Sequence, residues 1–167
     1  SISPPRIDIT SVVDPTIQTI SRDISRYGFE IFFLNTSLDL AVPSCICVLV
    51  DMVGRGQKIS VGGGCGPSLA DAMVRSVTES LGVYHWLRGL QKQGKTYQLP
   101  EHCEPFTLPD INQENRLILW GDDSMFPVLE KFLFGPVQSY TEATGGYPVS
   151  FQTPQQELAS VLSIFRK

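Results

Sequence analysis

VGGGCGPSLADAMVRSVTE, running from Val61 to Glu79, changes character part-way through. A short strand from Lys58 to Val61 is expected to feed the glycine stretch Gly62 to Gly66, which in turn opens a helix. Ser68, with Asp71 three residues on, forms a capping-box pattern. Ala70, Met73, Val77, Leu81 and Tyr84 then mark an apolar face, and the spacing predicts a helix of roughly 20 residues or more from near Leu69. Gly82 and Gly89 lie inside it and weaken it. A strand, a tight turn and a long helix in succession are the signature of a layered α/β core.

Outward from this stretch the signals continue. Asp14 is an N-cap candidate and Pro15 sits at the first helical position. Ile17, Ile20, Ile24 and Tyr27 follow at helical spacing, and Gly28 ends the run. Phe29 to Leu34 and Val42 to Val50 are apolar runs with few polar breaks, as expected of strands covered on both faces. Downstream, Gly94 to Glu114 is polar and proline-rich and is expected to be a mobile loop. Arg116 to Trp120 suggests a strand and Ser124 to Phe134 a helix closed by Gly135 and Pro136. Val137 to Phe151 suggests one or two short strands around Gly145 and Gly146. Thr153, Pro154 and Gln156 cap a last helix carrying Leu158, Val161, Leu162 and Phe165. The helix-strand unit at 14–50 thus has a partial echo at 153–167, where the strand is missing. The expectation is one domain over 1–167, cut short, with a mixed sheet and helices packed on it.

Composition excludes several classes. The 167 residues are 42% hydrophobic with a formal net charge of -4. The isoelectric point is about 5.1 and the mean hydropathy +0.02. Lysine and arginine are scattered, so the sequence offers no footprint for a nucleic-acid backbone. No apolar run approaches the ~20 residues that cross a bilayer, and the start lacks the pattern of a signal peptide. Cys45, Cys47, Cys65 and Cys103 are spaced unlike a disulfide scaffold, which points to a reducing, cytoplasmic setting. Cys45 and Cys47 share one face of a strand and are expected to be buried. With His85 and His102 the thiols do not make a zinc pattern, and nothing local orients a histidine onto Cys65 as a nucleophile would require.

The candidate chemistry lies on the long helix. At 3.6 residues per turn Arg75 stands about 40° from Asp71 and Glu79 about 80°, opposite Met73 and Val77. Two carboxylates on one side suit Mg2+, and Arg75 between them suits a phosphate. The alternative is a solvated face, with Asp71 as a cap and Arg75 paired to Glu79. Gly62 and Gly64 are secondary candidates for cradling a phosphate at the helix start, although the stretch matches neither a P-loop nor a dinucleotide fingerprint.

Three segments in order resemble the YcaO superfamily: FFLNTSLDLAVP from Phe32, VGGGCGPSLADAMVRSVTE from Val61, and NRLILWGD from Asn115. In the middle one Ala72, Ser76 and Glu79 hold places comparable to the family's Ala-x-x-x-Ala-x-x-Glu. The resemblance implies an ATP- and Mg2+-dependent enzyme that activates peptide backbone amides by phosphorylation. Its implied product is a thiazoline or oxazoline ring in a ribosomal precursor peptide, of the kind made in bacteriocin biosynthesis. It further implies Glu79 and Asp71 as Mg2+ ligands, with Arg75, Gly62 and Gly64 near the nucleotide. A leader-peptide-binding partner protein is expected elsewhere, and an open sheet edge suggests a homodimer. Gly82 departs from the pattern, since the family carries Gln or an acid there. That departure motivates the competing expectation of a non-catalytic scaffold or peptide-binding module. A third is a nucleotide-sensing domain without turnover.

Overall fold

The computed structural model describes residues 3–37, 42–54, 58–96, 111–145 and 153–164. In chain order the elements are β1 (Arg6–Ile7), α1 (Pro15–Arg26), β2 (Phe29–Asn35), β3 (Ser44–Asp51), β4 (Ile59–Cys65) and α2 (Leu69–Lys92). They are followed by α3 (Gln113–Gly121), α4 (Phe126–Leu133), β5 (Val137–Gln138), α5 (Tyr140–Thr144) and α6 (Pro154–Ile164). The strands form one open mixed sheet in the order β4-β3-β2-β1-β5, antiparallel except where β5 runs parallel to β1.

Both faces of this sheet are covered. Phe33, Cys45, Cys47 and Leu49 point to one side, where Ile17 and Ile24 of α1 and Leu69, Ala72, Met73 and Val77 of α2 bury them. Phe32, Val48, Val50 and Ile59 point to the other, against Phe126, Leu129 and Leu133 of α4. The near-continuous apolar runs of β2 and β3 follow from that double coverage. Cys45 and Cys47 do share a face, and burial pushes the Cys45 thiol up to about 12, against hydrogen bonds from Ser76 and Leu34 that lower it.

Local chemistry sets the helix starts. Asp14 accepts from the amides of Thr16 and Ile17 at 2.9 and 3.1 Å, Pro15 opens α1, and Gly28 takes φ +83° just beyond its end. Ser68 accepts from the Asp71 amide at 3.1 Å to start α2, and Gly94 at φ +71° follows its close.

Three expectations are corrected. Gly62 to Cys65 is not a turn but the second half of β4, paired residue by residue with Ser44 to Cys47. Arg116 to Trp120 lies within the helix α3, not a strand. Asn112 caps it by accepting from the Asn115 amide at 2.8 Å, and Ile118 and Leu119 are buried as the helix packs on α2 and β4. Packing and the cap outweigh the β-propensity of the apolar run. Val137 begins a strand of only two residues, after which Ser139 and Glu142 close a capping box on α5. Of the loop expected at 94–114, residues 97–110, which include His102 and Cys103, lie outside the described residues, as do 146–152. Lys95 and Glu114, on either side of that stretch, are joined by a 2.8 Å ion pair.

Candidate functional site

The site is built where α2 crosses β4, and the glycines explain how close the crossing is. A Cβ on Gly62 would land on the backbone of Ser76 and Ser80, and one on Gly64 on the backbone of Ala72 and Ser76. The helix therefore lies directly on the strand, its small residues Ala72, Ser76 and Ser80 fully buried against it. Ser80 donates to the Ser60 carbonyl at 3.0 Å and Ser76 to the Met73 carbonyl at 2.8 Å, so neither buried hydroxyl is left wanting. Gly62 and Gly64 thus make room for the helix.

Backbone parity assigns the rest of β4. The Asp51 amide donates to the Lys58 carbonyl and the Gly66 amide to the Pro43 carbonyl, so even-numbered residues turn their polar groups toward β3. By the same alternation Gly62 and Gly64 spend theirs on Cys47 and Cys45. The backbone amides and carbonyls of odd-numbered residues point away from β3. The Gly63 amide points outward and donates to Oε2 of Glu79 at 2.8 Å.

Asp71, Arg75 and Glu79 are all exposed on one side of α2. They are not equally free. Asp71 accepts from the Ser68 hydroxyl at 2.5 Å, toward the start of the helix and away from Glu79. At 1.5 Å per residue the eight residues from Asp71 to Glu79 span about 12 Å of helix axis, and the four from Arg75 about 6 Å. For both carboxylates to meet one ion, Asp71 would have to leave Ser68. Glu79 is held by one oxygen, and its Oε1 has no partner among the described residues. Mg2+ commonly takes one or two carboxylates and completes its shell with water and phosphate oxygens. A single oriented Glu79 oxygen fits that requirement as one ligand. The described residues contain no cluster of three or more His, Cys, Asp or Glu. Gly82, one turn further on, faces open space, with nothing within 4 Å of where its Cβ would stand.

A second polar centre escaped the sequence reading. Asp51, 3% exposed at the end of β3, accepts from the Tyr84 hydroxyl at 2.8 Å and from the amides of Val53 and Gly54 at 3.0 and 2.5 Å. Burial pushes its carboxyl up, but these bonds together with Arg88 bring it below the usual carboxylate value. Tyr84 also meets Phe29 edge-on at 4.8 Å and lines a cleft of about 480 Å³ with Tyr27, Leu81 and His85. Asp51 ends an apolar run and Tyr84 was assigned to an apolar face, so only their meeting reveals the network.

A family model described as YcaO cyclodehydratase, ATP- and Mg2+-binding, matches residues 1–167. The chain belongs to the YcaO family. Among solved structures, the heterocyclase TruD aligns with 99% of this YcaO chain at 16% identity and a TM-score of 0.57. A heterocyclase in complex with substrate and cofactor aligns over 99% at 16% identity and a TM-score of 0.63. The fold is therefore a YcaO-type fold. The YcaO chain spans 20% of the length of each of these two proteins. The E. coli microcin synthetase McbBCD complex with pro-MccB17 bound aligns over 56% of the chain at 22% identity, with a TM-score of 0.44. A comparison with curated proteins gave no match. Among the described residues no helix is long and apolar enough to cross a membrane.

Proposed function

We propose that this chain is part of an ATP- and Mg2+-dependent cyclodehydratase that forms thiazoline or oxazoline rings in a ribosomal precursor peptide. Membership of the YcaO family supports the reaction class. The observation that carries the reading for this chain is Glu79, exposed at the crossing of α2 and β4, with one oxygen fixed and one open.

Glu79 offers its Oε1 to Mg2+, and Arg75, one turn earlier on the same side, meets a phosphate. Asp71 adds negative charge at the start of the helix while serving in the cap. Gly62 and Gly64 contribute through packing, by letting the helix carry Glu79 up to the strand edge. Attack of a Cys, Ser or Thr side chain on the preceding carbonyl would come first, and bound MgATP would then phosphorylate the former amide oxygen. Loss of that oxygen as phosphate would leave the ring, with ADP as the other product. The remaining metal ligands, the peptide groove and a leader-peptide-binding partner lie outside the described residues.

Gly82 favours a second reading, a YcaO scaffold that binds peptide without turnover, because the side chain the family carries at that place is missing. Calorimetric titration of MgATP into the full-length protein separates the two. Binding that falls roughly 10- to 100-fold in Glu79→Gln supports the enzyme reading. No binding by either protein selects the scaffold.

A further inference from the structure

We propose that the backbone amide of Gly63 is the positioning group for Glu79, fixing Oε2 so that the carboxylate presents only Oε1 to its ligand. The inference rests on the reading of Glu79 as a ligand for Mg2+ and goes beyond it by naming what orients it. A glutamate on an exposed helix face has three side-chain torsions to immobilise, and a freely rotating carboxylate is a poor metal ligand. Here the 2.8 Å bond from Gly63 links the helix face to the sheet edge. Bonds to the distal atom of a ligating group set its orientation, and losing them typically weakens metal affinity 10- to 100-fold.

Position suits residue 63 to the task. Among the described residues it lies on the terminal strand, with its amide on the side where no strand neighbours it, and the ladder to β3 does not use it. A Cβ there would stand 3.8 Å from Glu79 Oε2, an ordinary contact, so a side chain at 63 neither blocks nor replaces the bond. The donor is the peptide N–H itself, available from any residue but proline.

That exception makes the test. Proline is tolerated on an edge strand where its missing N–H faces away from the ladder. In the full-length protein, Gly63→Pro removes the donor and Gly63→Ala keeps it. The expected result is MgATP affinity near wild type for Gly63→Ala and roughly tenfold weaker for Gly63→Pro. Hydrogen exchange at the Gly62 and Gly64 amides, which face β3, should be unchanged in both. Equal affinities in the two variants, with Glu79→Gln still impaired, would overturn the positioning role and leave Glu79 a ligand. Wild-type affinity in Glu79→Gln would remove the ligand reading and this inference with it. If proline disturbs the ladder, hydrogen exchange in the unaltered protein decides. Protection of the Gly63 amide retained on MgATP binding supports the proposal, and protection lost there alone shows that Glu79 releases Gly63 to take its ligand.

Discussion

The two halves of α2 meet the sheet in opposite ways. From Leu69 to Ser80 the helix lies on β4 backbone to backbone, through Gly62, Gly64 and a stripe of Ala72, Ser76 and Ser80 that admits no further atom. From Leu81 onward contact passes through side chains: Tyr84 reaches across to Asp51 and Phe29, and Gly82 and Gly89 face open space. The first half is fixed by shape and the second by a few polar and aromatic contacts. The residue proposed to carry chemistry, Glu79, lies at the end of the rigid half, where its distance from the strand is set by helix and strand backbone together.

The sharpest way to break this contrast is Gly64→Ala. One methyl group pressed onto the Ala72 carbonyl and Ser76 amide has no flexible side chain to displace, and overpacking of this kind costs about 1–3 kcal/mol. The upper end is expected in denaturant unfolding. A change below about 0.5 kcal/mol would mean that the helix rides up freely and that the crossing is not tight.

In the second half, Tyr84→Phe removes a donor to a buried carboxylate, at an expected cost of about 1.5–3 kcal/mol near neutral pH. The Asp51 carboxyl is depressed below its ordinary 3.8, so its contribution is present above that value and lost as pH falls through the lower, folded-state value. The difference between wild type and Tyr84→Phe should therefore shrink in acid below about pH 4. A difference independent of pH would show that the ionised Asp51 carboxylate is not what the Tyr84 hydroxyl stabilises. Smallest is Gly82→Ala, expected to raise stability by about 0.5–1 kcal/mol because helix propensity improves and nothing is struck. Destabilisation there would show that the outer half is as crowded as the inner.

Sequence legibility follows the same division. Asp14 with Pro15, and Ser68 with Asp71, announce their helices because a cap is local chemistry between neighbours. The glycines of β4 were legible only as a turn, since glycine has low β-propensity. Their strand character comes from the ladder to Cys45 and Cys47 and from the helix above, both distant in sequence. Arg116 to Trp120 misled in the other direction: the apolar run suits a strand, while the cap at Asn112 sits in the polar stretch before it. The periodicity of α2 gave its exposed side correctly, yet hydrophobicity alone hid the serines of its buried stripe. Small residues at intervals of four, at 72, 76 and 80, were the available sign. At the site, angular spacing brings Asp71 and Glu79 to one side of the helix. It is silent on the axial rise between them and on Gly63, because that amide belongs to another element.

The outward-facing amide of Gly63 bears also on how the protein avoids its own kind. Among the described residues β4 is the end strand of the sheet, and an unpaired strand edge of glycine and apolar residues is a template on which another chain can polymerise. By occupying the one donor midway along the glycine run, the Glu79 carboxylate places a negative charge where an incoming strand would need to set its carbonyl. The same side chain proposed to serve nucleotide chemistry would thereby also set a negative charge against strand addition at this edge.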